Sequence, residues 1–192
     1  MNAKTTKQIE EMMNQTIGVE VEMNNITRTK AAQLAAEFFG TRRHENTAGR
    51  NGYDTYSAWD GEGREWKFQK DVSIHGPDSE KCELVTPILT YTDMETLQEL
   101  IRRLRKAGAK SDATRSCGVH IHIGAKGHTA QTLRNLANIM ASHETLLASA
   151  LNLDRNRMNR YCRTVSKDFL VELHRKKPKT MAALADTWYR SQ

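Results

Sequence analysis

The sequence predicts an α+β protein whose mainly antiparallel sheet carries helices on one face and leaves an open polar face. Two observations support this prediction. Up to residue 124, short segments with two-residue alternation are interspersed with helical segments and one hairpin, and only helical segments occupy 125–192. Hairpin-joined strands followed by grouped helices are typical of α+β folds rather than of alternating βαβ folds.

Length and composition indicate one domain without a membrane segment. The 192 residues predict a single domain, 1–192, with a sheet-bearing part at 16–124 and a helical, basic part at 125–192. No apolar run approaches the roughly 20 residues that span a bilayer, and the N-terminus lacks an apolar signal segment. The three cysteines are widely spaced and form no CxxC pair, which is typical of a reduced protein. We therefore expect a cytoplasmic location and no membrane partner.

The first half of the chain is predicted to contain two helices and three strands. A helix is expected over 3–14, a strand over 16–23 and a helix over 28–39, with an irregular stretch at 41–52. Asp60-Gly61-Glu62-Gly63 is a turn sequence, and it predicts a hairpin between strands at 53–59 and 64–71.

The second half begins with two more strands and then becomes helical. A strand is expected over 82–89, closed by Pro87, and a helix from a Thr92/Glu95 capping box to Ala107. After a strand at 117–124, a long helix is expected over 129–151, and further helices are broken near 152–154 and at Pro178.

Two of these strands carry functional side chains on one face. In residues 117–124, CGVHIHIG, the alternation sends His120 and His122 to the face opposite the β-branched residues. In residues 16–23, TIGVEVEM, Glu20 and Glu22 share a face in the same way. Side chains two residues apart on a strand are about 7 Å apart, so each pair can flank one ion or substrate group.

The open face of the sheet can therefore collect six ionisable groups. Clustered carboxylates repel one another unless a cation neutralises them, and oxygen ligands with one or two imidazoles suit Mg²⁺ or Mn²⁺. Since Mg²⁺ usually acts beside phosphate, a nucleoside triphosphate is the expected co-ligand. The six groups are Glu20, Glu22, Asp71, Glu83, His120 and His122.

Three other patterns do not support a site. The Gly61/Gly63 pair lacks the strand–loop–helix context of a phosphate-binding loop. Cys117 and His120 are separated by an odd number of residues, so a regular strand directs them to opposite faces. His143 has no second histidine at the spacing of a zinc-binding helix.

The charge distribution leaves two alternative functions open. Residues 125–192 contain 12 Lys and Arg against 5 Asp and Glu, whereas residues 1–124 contain 17 against 18. One alternative is a nucleic-acid-binding protein that uses the basic segment 155–179. A solvated helix surface is the commoner cause of such a charge excess, so nucleic acid is not the expected partner. The other alternative is a metal-dependent hydrolase that uses the same carboxylates.

Four motifs, in this order, resemble the amidoligase family of ATP-dependent carboxylate–amine ligases. That family is grouped with glutamate–cysteine ligase in the glutamine-synthetase-like fold. The motifs are 18–22 (GVEVE), 66–74 (WKFQKDVSI), 83–87 (ELVTP) and 117–122 (CGVHIH), and the resemblance extends to 159–162 (NRYC).

The resemblance implies a ligase that forms an amide or isopeptide bond through an acyl phosphate. Its substrates would be ATP, a small-molecule or peptide carboxylate, and an amine. By resemblance, Arg160 and His122 would be catalytic, and Arg157 is a second basic candidate. The resemblance also implies which residues hold the cofactors. The residues that would bind ATP are Glu20, Glu22, Lys67 and Glu83. The residues that would bind Mg²⁺ or Mn²⁺ are Glu20, Glu22, Asp71, Glu83 and His120.

The sequence departs from the family at its C-terminal end. Family members continue into a further strand that bears an arginine and another acid, whereas this sequence ends at Gln192 in a helix-like segment. We therefore expect a short or C-terminally truncated member, with incomplete ligase activity.

Overall fold

The computed structural model describes residues 3–48 and 52–191, and within them the chain forms seven helices and six strands. The helices are α1 (Ala3–Met13), α2 (Arg28–Phe38), α3 (Met94–Lys106), α4 (Ala130–Ala150), α5 (Arg155–Arg160), α6 (Lys167–Lys176) and α7 (Met181–Arg190). The strands are β1 (Ile17–Met23), β2 (His44–Asn46), β3 (Tyr56–Trp59), β4 (Glu65–Gln69), β5 (Cys82–Val85) and β6 (Val119–Ile123).

All six strands belong to one open sheet in the order β2-β3-β4-β5-β1-β6, and every neighbouring pair is antiparallel. The predicted α+β class with a mainly antiparallel sheet is confirmed. The first strand lies between β5 and β6, so the two strands predicted to carry acids and imidazoles are direct neighbours.

Helices α2 and α3 pack on one face of this sheet. The buried face of α2 is made of small alanines, which allow its backbone to lie close to β3 and β4. The buried leucines of α3 belong to the same core. Trp66 and Phe68 of β4 and Leu84 of β5 are fully buried there, because two-residue alternation directs them to the helix side. The polar residues of these strands are left on the other face.

A hydrogen-bonded group joins the β3–β4 hairpin to the start of α3. Asp60 accepts hydrogen bonds from the Arg64 side chain at 2.8 Å and from Trp66 Nε1 at 3.0 Å. Arg64 also donates to Asp93 at 2.9 Å. Burial acts to raise the pKa of Asp60, but the bonds from Trp66 and Arg64 outweigh it and lower that pKa. Arg64 likewise lowers the pKa of Asp93.

The structure corrects several predicted element boundaries. Strand β2 lies in the stretch expected to be irregular; it is a fully exposed edge strand, so no apolar alternation marks it. The capping box is formed by Thr90 and Asp93 rather than by Thr92 and Glu95, because Thr90 is the extended residue before the first turn. Strands β3, β4 and β5 are shorter than predicted, and beyond Pro87 only one bridge continues the pairing of β5 with β1.

The chain divides into two compact units, 1–124 and 125–192. The second unit contains α4 to α7, and the predicted breaks near 152–154 and Pro178 are confirmed. In it, Phe169 of α6 packs edge-on against Trp188 of α7, with ring centroids 4.8 Å apart. The single-domain boundary of 1–192 stays a prediction. Among the described residues, no helix combines the length and apolar character needed to cross a membrane.

Candidate active site

The open face of the first unit brings together acids and imidazoles from three adjacent strands. Glu22 of β1 lies directly opposite Glu83 of β5, and Glu20 of β1 lies directly opposite His120 of β6. Because residues in register on neighbouring strands point to the same face, the four side chains converge. Gln69 of β4 is in register with Glu83 and extends the row.

Glu20 is held by both histidines of β6. Its Oε2 lies 3.0 Å from His120 Nδ1, and its Oε1 lies 3.3 Å from His122 Nε2. Partial burial acts to raise the pKa of Glu20, but the hydrogen bonds with His120 and His122 outweigh it, so the pKa is lowered. Glu20 is therefore an ionised carboxylate at neutral pH, with both oxygens directed to imidazoles.

Glu22 is a buried carboxylate next to this pair. Its Oε2 accepts a hydrogen bond from the backbone N–H of Gly118 at 2.6 Å, which fixes the side chain against the start of β6. Its Oε1 lies 3.9 Å from His120 Nε2. The Gly118 bond thus leaves Oε1 directed towards the cluster.

Glu83 is the second buried carboxylate of the face. Its Oε2 accepts a hydrogen bond from Gln69 Nε2 at 2.8 Å. Burial raises the pKa of Glu83, and the negative charges of Glu20, Asp71 and Glu22 raise it further. A divalent cation at this position would relieve both effects, since it neutralises the charge that burial and the neighbouring acids disfavour.

Among the described residues, two sets of side-chain atoms could each hold a metal ion, and both sets include Glu83. One set is Glu20, Glu83 and His120; the other is Glu22, Asp71 and Glu83. Within each set, the ligand atoms all lie within 4.8 Å of one another, which is close enough to surround one ion. Carboxylate oxygens with one imidazole suit Mg²⁺ or Mn²⁺. The donor set therefore fits the predicted metal.

The other predicted residues are contributed by β4, by the segment that follows it and by α5. Lys67 is on the same face of β4 as Gln69, and its Nζ lies 4.0 Å from Glu65. Asp71 follows β4 and accepts a hydrogen bond from the Ser73 backbone at 2.7 Å. Arg160 ends α5 in the second unit, where its guanidinium lies 5.3 Å from the centre of the Tyr161 ring. Its catalytic role stays a prediction.

Gln69 is a site residue that the sequence analysis missed. Its Nε2 donates a hydrogen bond to Glu83 Oε2, which sets the direction in which this carboxylate points. The alternation of residues 66–69, WKFQ, already places it on the polar face with Lys67. Its amide carries no charge, so the pattern of ionisable residues does not reveal it.

Cys117 is not accessible from the open face. It is buried, and Asn24 Nδ2 lies 3.8 Å from its sulfur. Cys82 is also buried, and burial raises its pKa to about 12. Neither thiol has the exposure that a nucleophilic cysteine needs.

The family model described as "Putative amidoligase enzyme" matches residues 13–192 of the chain. No curated protein and no solved structure gives a significant match. The matched range includes every residue of the carboxylate–imidazole cluster described above.

Proposed function

The chain belongs to the amidoligase family, and from this premise we propose that it is an ATP- and Mg²⁺-dependent ligase that joins a carboxylate to an amine. The carboxylate and the amine would each come from a small molecule or a peptide. Mn²⁺ could replace Mg²⁺, because both ions prefer oxygen ligands.

The observation that supports this proposal best is the pair of ligand sets that meet at Glu83. Four carboxylates on one small area repel one another, and two of them, Glu22 and Glu83, are buried. Such an arrangement is costly without a cation. Bound divalent ions would neutralise triphosphate charge, which is the main requirement of phosphoryl transfer.

The proposed reaction has two steps. An oxygen of the substrate carboxylate attacks the γ-phosphorus of ATP, ADP leaves, and an acyl phosphate forms. The amine nitrogen then attacks the acyl carbon, the C–O bond to phosphate breaks, and the nitrogen loses a proton as the amide forms. The sum is carboxylate, amine and ATP converted to amide, ADP and phosphate.

Two residues are assigned to these steps by their position on the open face, and a third by family resemblance. His122 is exposed and lies beside Glu20, so it is suited to accept the proton from the attacking amine while Glu20 stabilises the charged ring. Lys67, half-exposed on the same face, is assigned to the nucleotide phosphates. Arg160 is proposed to neutralise the anionic intermediate, by family resemblance alone.

The test is ADP release that requires both a carboxylate and an amine. With an ¹⁸O-labelled carboxylate, one labelled oxygen should appear in the released phosphate, because the acyl phosphate keeps that oxygen on phosphorus. Glu20→Gln and Glu83→Gln should abolish Mg-ATP binding in calorimetry, whereas Glu37→Gln, at an exposed position of α2, should not change it. Amide or phosphoester cleavage without ATP would instead identify a hydrolase and contradict the proposal.

A further inference from the structure

Strand β6 is the edge of the sheet, and its outer side has a regular row of backbone groups. The backbone bonds from Glu22 N–H to Gly118 C=O and from Gly124 N–H to Thr16 C=O mark the hydrogen-bonded pairs with β1. These pairs recur at every second residue, so the even-numbered residues of β6 bond to β1. The N–H and C=O groups of the odd-numbered residues therefore point away from the sheet.

Those odd-numbered residues also leave an apolar surface. Val119, Ile121 and Ile123 are 55%, 64% and 55% exposed, although they point to the face that α2 and α3 cover elsewhere. Among the described residues, no strand pairs with the outer side of β6. Exposed edges are normally protected by lysine, proline or a bulge, and β6 has none of these. Such an edge is suited to accept another strand.

We propose that β6 binds an extended peptide by strand addition, and that this peptide is the carboxylate substrate of the ligase. The inference rests on the proposed function, which it makes more specific by naming the substrate class. The added strand would extend the sheet by one position, directly beside the two histidines of the site.

The side chains on the two faces of β6 determine which peptide sequence fits beside it. Directly opposed side chains on adjacent strands have Cβ atoms about 5 Å apart. Peptide residues opposite Val119, Ile121 and Ile123 would meet an apolar surface, and the residues between them would lie beside His120 and His122. The peptide that fits best alternates apolar and acidic residues. Its carboxylates would lie next to imidazole donors and to the ligand set that contains His120.

A second copy of the chain fits this edge less well. If two β6 strands paired antiparallel about Ile121, His120 of one copy would lie opposite His122 of the other. Each imidazole would then face another imidazole, with no carboxylate from the added strand. An acidic peptide supplies the complementary group that a second β6 lacks.

The binding test uses a capped seven-residue peptide of alternating valine and glutamate, titrated calorimetrically with Mg²⁺ present and without ATP, so that the carboxylates of the site do not repel the peptide. We expect saturable binding with a Kd below about 1 mM. Methylating the valine amides should abolish binding by an antiparallel strand, and methylating the glutamate amides should leave it unchanged; a parallel strand reverses the two results. The inference would be overturned if methylating the valine amides and methylating the glutamate amides changed binding equally, or if the unmethylated peptide did not bind.

The protein side of the test uses position 121. Ile121→Pro removes one outward N–H without removing a bond to β1, and proline is tolerated on strand edges. It should weaken peptide binding by about tenfold, with circular dichroism as the check of folding, while Ile121→Val should not. If Ile121→Pro does not fold, the methylated peptides still decide the question on the unaltered chain. Self-association that Ile121→Pro abolishes would assign the edge to a second copy and overturn the inference.

Measurements of ADP release distinguish a failure of this inference from a failure of the proposed function. ADP release with small carboxylates, but no peptide binding, would contradict only the inference. Peptide binding with no ADP release for any carboxylate and amine would contradict the proposed function and the substrate role together.

Discussion

Glu22 of β1 and Glu83 of β5 are buried and directly in register across neighbouring antiparallel strands. Like charges opposite each other destabilise a sheet, and burial increases the cost. The pair therefore lowers the stability of the metal-free fold, while it provides two of the proposed metal ligands.

Glu83→Gln should make the metal-free protein more stable. The amide keeps an oxygen that can accept the Gln69 hydrogen bond, and it removes a charge that burial and three neighbouring acids disfavour. We expect the free energy of unfolding at pH 7.5 to rise by about 1 kcal/mol. Urea denaturation measures this, with Glu37→Gln as the matched control. In the same assay, Mn²⁺ should stabilise the unaltered chain but not Glu83→Gln. Stabilisation of Glu83→Gln by Mn²⁺ would exclude Glu83 as a ligand.

Gln69→Leu should weaken metal binding without removing a ligand. Gln69 orients Glu83 through a 2.8 Å hydrogen bond, and loss of a residue that positions a ligand typically weakens metal affinity about 10–100-fold. Titration of Mn²⁺ followed by electron paramagnetic resonance measures the affinity. Gln33→Leu, at an exposed position of α2, is the control. An unchanged affinity in Gln69→Leu would show that Glu83 needs no such support.

The Asp60–Arg64–Asp93 group should make stability fall in acid. Arg64 lowers the pKa of Asp93, and together with Trp66 it lowers that of Asp60 against the effect of burial. Both carboxylates therefore contribute stability above about pH 4, their usual range, and lose it as the pH falls through their lower folded values. Arg64→Met should destabilise the protein by about 2 kcal/mol at pH 7 and by less at pH 3. Urea denaturation at both pH values measures this, and Arg102→Met, exposed on α3, should have little effect at either.

Only one cysteine should react in the folded protein. Cys162 is exposed, whereas Cys82 and Cys117 are buried, and burial raises the pKa of Cys82 to about 12. Brief treatment with iodoacetamide at pH 8 should therefore add one group to the native chain and three in urea. Mass spectrometry counts the adducts. Rapid native alkylation of Cys117 would contradict its burial and reopen its role as a nucleophile.

Alternation along single strands made part of the site predictable. The segments GVEVE and HIH directed Glu20, Glu22, His120 and His122 to polar faces, and the strand register confirms these directions. Which residues lie opposite one another was not predictable, because the register of distant strands depends on tertiary packing. The pairing of Glu22 with Glu83 therefore emerges only from the folded sheet.

The boundaries of the strands and helices were predicted less well, for reasons that lie in the local sequence. Strand β2 is short and exposed, so its sequence has no apolar pattern. Both Thr90 and Thr92 are suitable helix caps, and only the extended backbone at Thr90 decides between them. Asp71 lies beyond the end of β4, where alternation no longer determines direction, yet it reaches Glu83.

The strand order has a consequence for folding. Strand β1 is the first strand of the chain, but its neighbours β5 and β6 are about 60 and 100 residues later in the sequence. During synthesis, β1 must remain unpaired until these segments have left the ribosome, and the ligand set with His120 forms only after β6 joins. Metal-induced protection of β1 amides from hydrogen exchange would thus report the last long-range step of folding.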